Sequence, residues 1–364
     1  MDNSLLYKIA VTKIPNIGAV SGKTVISYCG GAEEIFNTPK KQLLKIPGIG
    51  PTNAKYILHG NALKDAEKEL KHIIKHKIDV FYFLDDNYPK RLSPFHDAPI
   101  ILYFKGNADL NHYRNVGIVG TRKVSPNGEI ITEQLVKDLA IYNPFIISGL
   151  AHGVDGVAHK TSVNSGIPTI GVLGHGLNQI YPPQHRSLAD KMIENGGILT
   201  EHGFLADPEK MHFPMRNRII AGLSDAIIVV ETANKGGSII TAKYGNNYNK
   251  DVFAIPGRIG DKTSKGCNLL IKSHQAALLE SAKDIGYIMR WDEADKQNRQ
   301  TELFIELDDN EKALMDCLKK NESIGIDQLT FQMKSTPSNM ASLLLTLEFK
   351  GLVKPLPGKR FMAV

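Results

Sequence analysis

Between residues 115 and 285, short apolar segments alternate regularly with longer segments of helical period. The apolar segments carry almost no polar residues in alternate positions, so both faces of each strand must be buried. Continuously apolar strands separated by helices are typical of a parallel sheet that is covered by helices on both sides. We therefore predict an α/β fold with a mostly parallel sheet, whose strands are residues 116–120, 145–148, 169–173, 197–200, 226–230 and 252–255.

The first 78 residues form a different block, in which short helical segments are separated by the turns IPNIG and IPGIG. Segment 43–58 fits the helix-hairpin-helix pattern, because Gly48 and Gly50 allow a tight turn just before a second helix. Such a turn exposes backbone N–H groups at a helix N-terminus, where a phosphate can bind.

Lysines accompany this turn. Lys45 and Lys55 flank it, and segment 12–30 resembles a degenerate copy that carries Lys13 and Lys23. Two interpretations are equally supported by this pattern: the hairpins contact a DNA backbone, or they are tight turns that only pack a small helical domain.

The segment from 308 to 364 is typical of a winged helix. It contains amphipathic segments at 308–320, 326–333 and 336–353, followed by a hairpin around Pro357 and Gly358. The helix that would read a duplex, 338–349, has almost no cations or amides for base contacts. This composition favours a protein-interaction or accessory role, although Lys359 and Arg360 in the wing favour contact with DNA.

Composition and charge exclude several classes of protein. The sequence has no apolar run of the roughly 18–20 residues that a membrane span requires, and its first residues lack the layout of a signal peptide. Cys29, Cys267 and Cys317 are too scattered for a disulfide framework or a metal site. We therefore expect a cytoplasmic protein without membrane association. The formal net charge of +6 is compatible with a polyanionic partner.

The glycine-rich turn after the first strand does not predict a bound nucleotide. Residues 116–129 do not match the dinucleotide motif GxGxxG, and the second strand ends in Ser148 and Gly149 without an acidic residue for a ribose. The phosphate-loop motif GxxxxGK[ST] is absent from the whole sequence. We therefore expect no cofactor and neither NAD nor ATP chemistry.

Polar side chains and glycines follow the predicted strands, at the sheet edge where open parallel sheets bind ligands. Glycine-rich helix N-termini suit phosphate, cations neutralise it, and an aromatic ring can stack on a base, which together favour a groove for single-stranded nucleic acid. The candidate binding residues are Gly120, Thr121, Arg122, Ser148, Gly149, Lys210, Phe213, Arg216, Asn217, Arg218, Gly237 and Ser238.

Several of these residues have a structural alternative. Arg216 and Arg218 contact phosphate or pair with carboxylates along the sheet edge. The Gly236–Ser238 turn is an anion-binding nest or a turn whose Ser238 caps a helix. The spacing of His152, Asp155 and His159 allows a metal or catalytic set, but without a further carboxylate or cysteine it favours a role for Asp155 and His159 in organising the loop and helix start.

Four motifs occur in a fixed order: GTR at 120–122, SGLAHGVDGVAH at 148–159, FPMRNRIIAGLS at 213–224 and GGSIITA at 236–242. In these motifs the sequence resembles the DNA-processing protein A (DprA/Smf) family. The resemblance implies an extended Rossmann-like core that binds single-stranded DNA without sequence preference. It further implies a homodimer that loads a RecA-type recombinase onto DNA during natural transformation, without catalytic activity. The family's phosphate-binding arginine corresponds to Arg122, and its loop lysine and base-stacking aromatic correspond to Lys210 and Phe213.

The resulting domain prediction has four parts. They are a helix-hairpin-helix (SAM-like) domain at 1–78, the Rossmann-like domain at 79–290, a linker at 291–307 and a winged-helix domain at 308–364.

The alternative function is a Rossmann-like nucleotide hydrolase that resembles the phosphoribohydrolases. That chemistry needs a carboxylate, which Glu201 or Glu231 could supply.

Overall fold

The computed structural model describes residues 3–291, 307–319, 323–350, 352–356 and 358–363. The chain divides into two compact units, residues 1–291 and 292–364, and each unit is described by itself below. Within the described residues, no helix is both long and apolar enough to cross a bilayer.

Six helices form the N-terminal block: α1 (Asn3–Thr12), α2 (Ala19–Cys29), α3 (Glu34–Asn37), α4 (Lys40–Leu43), α5 (Pro51–His59) and α6 (Ala62–His76). Their apolar faces share one buried cluster with Tyr82, Ile101 and Tyr103 of the first two strands. The block therefore packs directly on the antiparallel end of the sheet.

The predicted helix-hairpin-helix turn connects α4 to α5. Gly48 has φ +81°, a left-handed conformation that favours glycine, and Gly50 occupies the N-cap of α5. Lys45 and Lys55 are exposed on either side of this turn.

The proposed copy at 12–30 differs from this turn. Asn16 takes the left-handed conformation there, and both lysines are engaged inside the unit. Lys13 forms an ion pair with Glu69 at 2.8 Å, and Lys23 donates a hydrogen bond to the carbonyl of Phe95 at 3.2 Å. Of the two hairpins, only the one at Gly48 therefore keeps both of its lysines exposed.

A nine-stranded sheet forms the centre of this unit, with the strand order β1-β2-β6-β5-β4-β3-β7-β8-β9. β1 pairs antiparallel with β2, β2 pairs antiparallel with β6, and the remaining pairs are parallel. The strands are β1 (Asp79–Tyr82), β2 (Ile101–Gly106), β3 (Asn115–Val119), β4 (Phe145–Ser148), β5 (Thr169–Val172), β6 (Gly196–Thr200), β7 (Ala226–Val229), β8 (Asp251–Ala254) and β9 (Ala277–Leu278).

The mostly parallel sheet is confirmed, and the six predicted strands lie within one residue of the observed ones at each end. Neighbouring residues on one strand are buried on opposite faces. Ile146 packs in the cluster on one side of the sheet, and Ile147 packs in the cluster on the other side. This double burial is the physical reason that polar residues do not alternate along these strands.

Helices cover both faces of the parallel part: α7 (Pro126–Leu139), α8 (Val154–Asn164), α9 (Arg186–Glu194), α10 (His212–Leu223), α11 (Gly237–Asn247), α12 (Lys265–Lys272) and α13 (Ala282–Ile288). From β3 the chain proceeds through β4, β5 and β6 to one side, and then returns to β7, β8 and β9 on the other. The direction of winding therefore reverses between β3 and β7, and open α/β sheets bind ligands in the crevice at such a point.

The second unit is a winged helix, as predicted. It contains α14 (Asp309–Lys319), β10 (Ile324–Gly325), α15 (Ile326–Gln332), α16 (Pro337–Phe349), β11 (Val353–Leu356) and β12 (Arg360–Ala363). The three strands form an antiparallel sheet in the order β10-β12-β11. In the predicted wing turn, Gly358 has φ +84°, whereas Pro357 and most of the predicted linker lie outside the described residues.

One buried carboxylate joins the N-terminal block to the sheet. Glu69 of α6 accepts a hydrogen bond from the backbone N–H of Phe204 at 2.6 Å, in addition to its ion pair with Lys13.

We expect Glu69→Ala to lower the free energy of unfolding by about 3 kcal/mol, because both Phe204 and Lys13 lose their partner. Urea denaturation measures this change. Glu67→Ala, at an exposed position of the same helix, is the matched control and should change stability by less than about 0.5 kcal/mol. Equal effects of the two substitutions would contradict this role of Glu69.

Candidate functional site

A pocket of about 340 Å³ opens at the point where the winding of the sheet reverses, beyond the ends of β3 and β7. The turn after β3, the start of α10 and the start of α11 form its walls. Nine of the twelve predicted binding residues line it: Gly120, Thr121, Arg122, Lys210, Phe213, Arg216, Asn217, Gly237 and Ser238. We call it the switch pocket.

Arg122 is the exposed cation at the mouth of the switch pocket. Its turn is held on two sides, since the N–H of Thr121 donates to the carbonyl of Glu231 at 2.7 Å and the carbonyl of Thr121 accepts from the N–H of Val154 at 3.2 Å. The guanidinium itself forms no ion pair in the part of the chain that the structure describes. A rigid turn thus presents a cation whose charge is not neutralised.

Phe213 lies beside this cation. The guanidinium carbon of Arg122 is 5.5 Å from the centroid of the Phe213 ring, within cation–π distance. The ring is partly exposed and belongs to none of the buried apolar clusters in the described residues. Phe213 lies in the first turn of α10. Lys210 precedes this helix, is exposed, and lines the same pocket.

Arg216 lines the switch pocket but is buried. It is 4% exposed, and its guanidinium donates hydrogen bonds to the carbonyls of Gly149 at 2.8 Å and of Val172. Burial, opposed by the nearby Asp155, lowers the pKa of Arg216 to about 10. Arg216 therefore forms the floor of the switch pocket by binding the ends of β4 and β5, and most of its donors face protein rather than solvent.

The three remaining predicted residues, Arg218, Ser148 and Gly149, do not line the switch pocket. Arg218 is buried and pairs with Glu201 at 2.6 Å, so the carboxylate alternative holds for this residue. The hydroxyl of Ser148 is buried and donates to the carbonyl of Ile118 at 2.5 Å. A Cβ at Gly149 would lie 2.5 Å from the guanidinium of Arg216, so glycine is required there by close packing.

The start of α11 supplies uncommitted polar groups. The helix begins at Gly237 with Gly236 as its N-cap, so the alternative in which Ser238 caps it is not observed. The hydroxyls of Ser238 and Thr241 are buried, line the switch pocket, and have no hydrogen-bond partner among the described residues. Together with the free N–H groups of a helix N-terminus, they leave hydrogen-bonding capacity for an anion.

Asp155 organises the loop before α8, as the sequence favoured, whereas His159 lies in the middle of α8 and contacts β5. The carboxylate of Asp155 accepts from the N–H groups of Gly149 at 3.1 Å and Ala151 at 3.4 Å. His159 is fully buried, and its Nδ1 lies 2.7 Å from the hydroxyl of Thr169. The described residues contain no group of three or more His, Cys, Asp or Glu side chains placed to hold a metal ion.

The carboxylates that a hydrolase would need are engaged elsewhere. Glu231 accepts from the hydroxyl of Ser125 at 2.5 Å and from its N–H at 3.0 Å, which fixes the start of α7. Glu201 is paired with Arg218. Neither Glu231 nor Glu201 lines the switch pocket.

Comparison with known proteins places this geometry in a family. The family model for DNA recombination-mediator protein A matches residues 79–290, and the model for the DprA winged helix domain matches residues 301–359. Protein Smf from Synechocystis is 30% identical over 98% of this chain and 98% of its own length. The chain belongs to the DNA processing protein A family.

Other members of the family cover less of the chain. The DNA processing protein DprA of Streptococcus pneumoniae is 42% identical over 57% of this chain and 73% of its own length. Its X-ray structure superposes with a TM-score of 0.65 and 34% identity over 77% of this chain and 96% of that one. The structure of DNA processing protein A from Helicobacter pylori, described for its single-stranded DNA binding mode, has a TM-score of 0.54 and 29% identity over 59% of this chain and 97% of that one.

Some polar residues of the switch pocket were missed by sequence reasoning. Thr241 lies one helical turn after Ser238, so the helical period of the GGSIITA motif could have identified it. Thr232, which also lines the pocket, lies in a loop without such a signal.

Two histidines in this family member are held in their neutral form. Burial, together with His185 and Arg216 nearby, lowers the pKa of His159 to about 3. Burial, together with His212 and Arg218, lowers the pKa of His202 to about 3. The His202 and His212 rings stack with their centroids 4.1 Å apart.

These pKa values predict a loss of stability in acid. In the unfolded chain each histidine takes up a proton as the pH falls below about 6.5, whereas the folded chain does so only near pH 3, so stability falls across that interval. At pH 5 each histidine should contribute about 2 kcal/mol of this loss. Urea denaturation measures the free energy of unfolding at pH 7.5 and at pH 5. The decrease between these two pH values should be smaller for His159→Gln and for His202→Gln than for the unsubstituted protein. His96→Gln, at an exposed position, is the control. An unchanged pH dependence in both variants would contradict the assignment.

Proposed function

We propose that this protein binds single-stranded DNA in the switch pocket, without sequence preference, and acts as a recombination mediator. The observation that carries the proposal is the pairing of Arg122, an exposed cation without an ion pair among the described residues, with the ring of Phe213 at 5.5 Å. A cation for phosphate and an aromatic face for a base are the two parts of a single-strand site. The relative from Helicobacter pylori binds single-stranded DNA, which supports the same ligand here.

The hydroxyls and the aromatic ring define the class of ligand. A base can stack on Phe213 only if it is unpaired and turned out of a helix, so the pocket favours single strands over duplex. The free hydroxyls of Ser238 and Thr241 and the N-terminus of α11 suit a phosphate. None of these groups reads a base edge by a paired donor and acceptor, so little sequence preference is expected.

The wider role follows from family membership. We propose that the protein works as a homodimer in the cytoplasm and loads a RecA-type recombinase onto single-stranded DNA that enters during natural transformation. The match to the recombination-mediator family model supports mediation. We further propose that it acts without catalytic turnover, since the two candidate carboxylates, Glu201 and Glu231, are bound to other protein groups.

Titration with single-stranded and duplex oligonucleotides of equal length tests the ligand class. Single strands should bind more tightly than blunt duplex. Their affinity should fall steeply with salt, by a logarithmic slope of about −0.7 for each phosphate contact. Equal affinity for the single strand and the duplex would contradict the proposal.

Substitution of Arg122 isolates the phosphate contact. Arg122→Ala should weaken binding and make the salt slope shallower by about 0.7, because one counterion-releasing contact is lost. Lys243→Ala removes an exposed cation of α11 outside the switch pocket and should leave the slope unchanged. The same slope in all three proteins would exclude a phosphate at Arg122.

Substitution of Phe213 isolates stacking. Phe213→Ala should weaken binding about 5- to 150-fold, the equivalent of roughly 1–3 kcal/mol, and leave the salt slope unchanged. Phe213→Trp should restore most of the loss, since any π-face can stack. Because the ring lies outside the apolar clusters of the described residues, circular-dichroism melting should change little. A destabilised Phe213→Ala protein whose folded fraction binds normally would remove Phe213 from the site.

Small nucleotides distinguish the proposed function from the hydrolase alternative. We expect no product from incubation with nucleoside monophosphates, NAD or ATP, because neither Glu201 nor Glu231 lines the pocket. Chromatography of the reaction mixture measures this. Free base that is released from a nucleoside monophosphate, and is no longer released by Glu231→Gln, would establish the alternative.

A further inference from the structure

A second groove lies beside the switch pocket, between α8 and the segment that leads into α9. It has a volume of about 430 Å³, and its lining includes Lys160, Lys191, His185 and Gln184. Both lysines are exposed, and neither forms an ion pair within the described ranges. Among the described residues no carboxylate lines this groove, which we call the lysine groove.

The lysine groove is separated from the switch pocket only by the turn before α8. A Cβ at Gly153, in the lysine groove, would lie 2.9 Å from the Cα of Arg122, in the switch pocket. Asp155 lines the switch pocket, and its neighbour Gly156 lines the lysine groove. A single strand that leaves the switch pocket on this side therefore meets the lysine groove after crossing one turn of backbone.

A second aromatic side chain lies beside the ring of Phe213. Tyr181 is 45% exposed, and its ring centroid lies 5.7 Å from that of Phe213, with the two rings inclined by 41°. Four residues later, the ring of His185 reaches the lysine groove and lies 5.3 Å from the exposed ring of His152. Successive rings beside exposed cations provide the stacking surfaces that a single strand uses.

The other side of the switch pocket offers a less favourable path. A cleft of about 730 Å³ there is lined by Arg258 and Lys262, but also by Glu231 and Asp261. Its two cations are matched by two carboxylates, whereas the lysine groove has cations alone. A polyanion that extends beyond the switch pocket is therefore attracted more strongly to the lysine groove.

We propose that the single strand bound in the switch pocket continues across Tyr181 into the lysine groove, where Lys160 and Lys191 contact its phosphates. This inference rests on the proposed function and adds the direction of the strand and a second set of contacts. The occupant is the flanking part of the same strand, so only strands longer than the switch pocket use the groove.

Binding of two oligothymidylates, of about four and about sixteen nucleotides, tests the path. The double substitution Lys160→Ala and Lys191→Ala should lower the affinity for the longer strand about tenfold at physiological salt. It should also make the salt slope shallower by about 1.4, twice the value for one contact, and leave the shorter strand unaffected. Fluorescence anisotropy at several salt concentrations measures both quantities.

The matched control is the double substitution Arg258→Ala and Lys262→Ala, which removes two cations from the cleft on the other side. It should leave both strands unaffected. A loss of long-strand affinity in this control equal to that of the lysine variant, or no loss in the lysine variant, would overturn the proposed path. Equal weakening of both strands by the lysine variant would also overturn it, because the lysines would then act on the switch pocket itself.

Two further variants keep the outcomes distinct. Tyr181→Ala should weaken the longer strand more than the shorter one, with an unchanged salt slope, and Tyr181→Phe should bind normally. If Arg122→Ala does not lower the affinity even for the shorter strand, the result contradicts the proposed function rather than the course of the strand into the lysine groove.

Discussion

The switch pocket depends on one buried guanidinium. Arg216 donates to the carbonyls of Gly149 and Val172, and so fastens the start of α10 to the ends of β4 and β5. A carbonyl at the end of a parallel strand has no partner in its own sheet and would otherwise face the cavity unpaired. Because Arg216 meets this requirement from α10, it also fixes the helix that carries Phe213. The pocket floor and the ring of Phe213 are thereby positioned by one side chain.

The parallel sheet could be predicted because its strands are buried on both faces and therefore exclude polar residues over their whole length. The positions of Arg122, Lys210 and Phe213 at one sheet edge could also be predicted, since parallel strands bring their carboxyl ends together. The roles of Arg216 and Arg218 could not, because the charge of a side chain does not reveal its burial. Arg216 and Arg218 are two residues apart on α10, so their side chains leave nearly opposite sides of the helix. Arg216 lies beneath the pocket, and Arg218 pairs with Glu201.

The charges of the described N-terminal unit fall into two groups. Lys13, Arg216 and Arg218 are bound by carboxylates or carbonyls and hold elements together. Arg122, Lys160 and Lys191 are exposed without ion pairs in the described residues, and they lie near one stretch of the sheet edge. The modest net charge of +6 does not show where these free cations lie, and other exposed lysines, such as Lys45 and Lys55, lie outside this stretch.

The turn that presents Arg122 is fixed on both sides before any ligand arrives. Thr121 is hydrogen-bonded to Glu231 and Val154, and the carboxylate of Glu231 also holds Ser125 at the start of α7. The conformational entropy of this turn is consequently lost when the protein folds and not when a strand binds. A ligand of the switch pocket therefore does not have to order the backbone that carries Arg122.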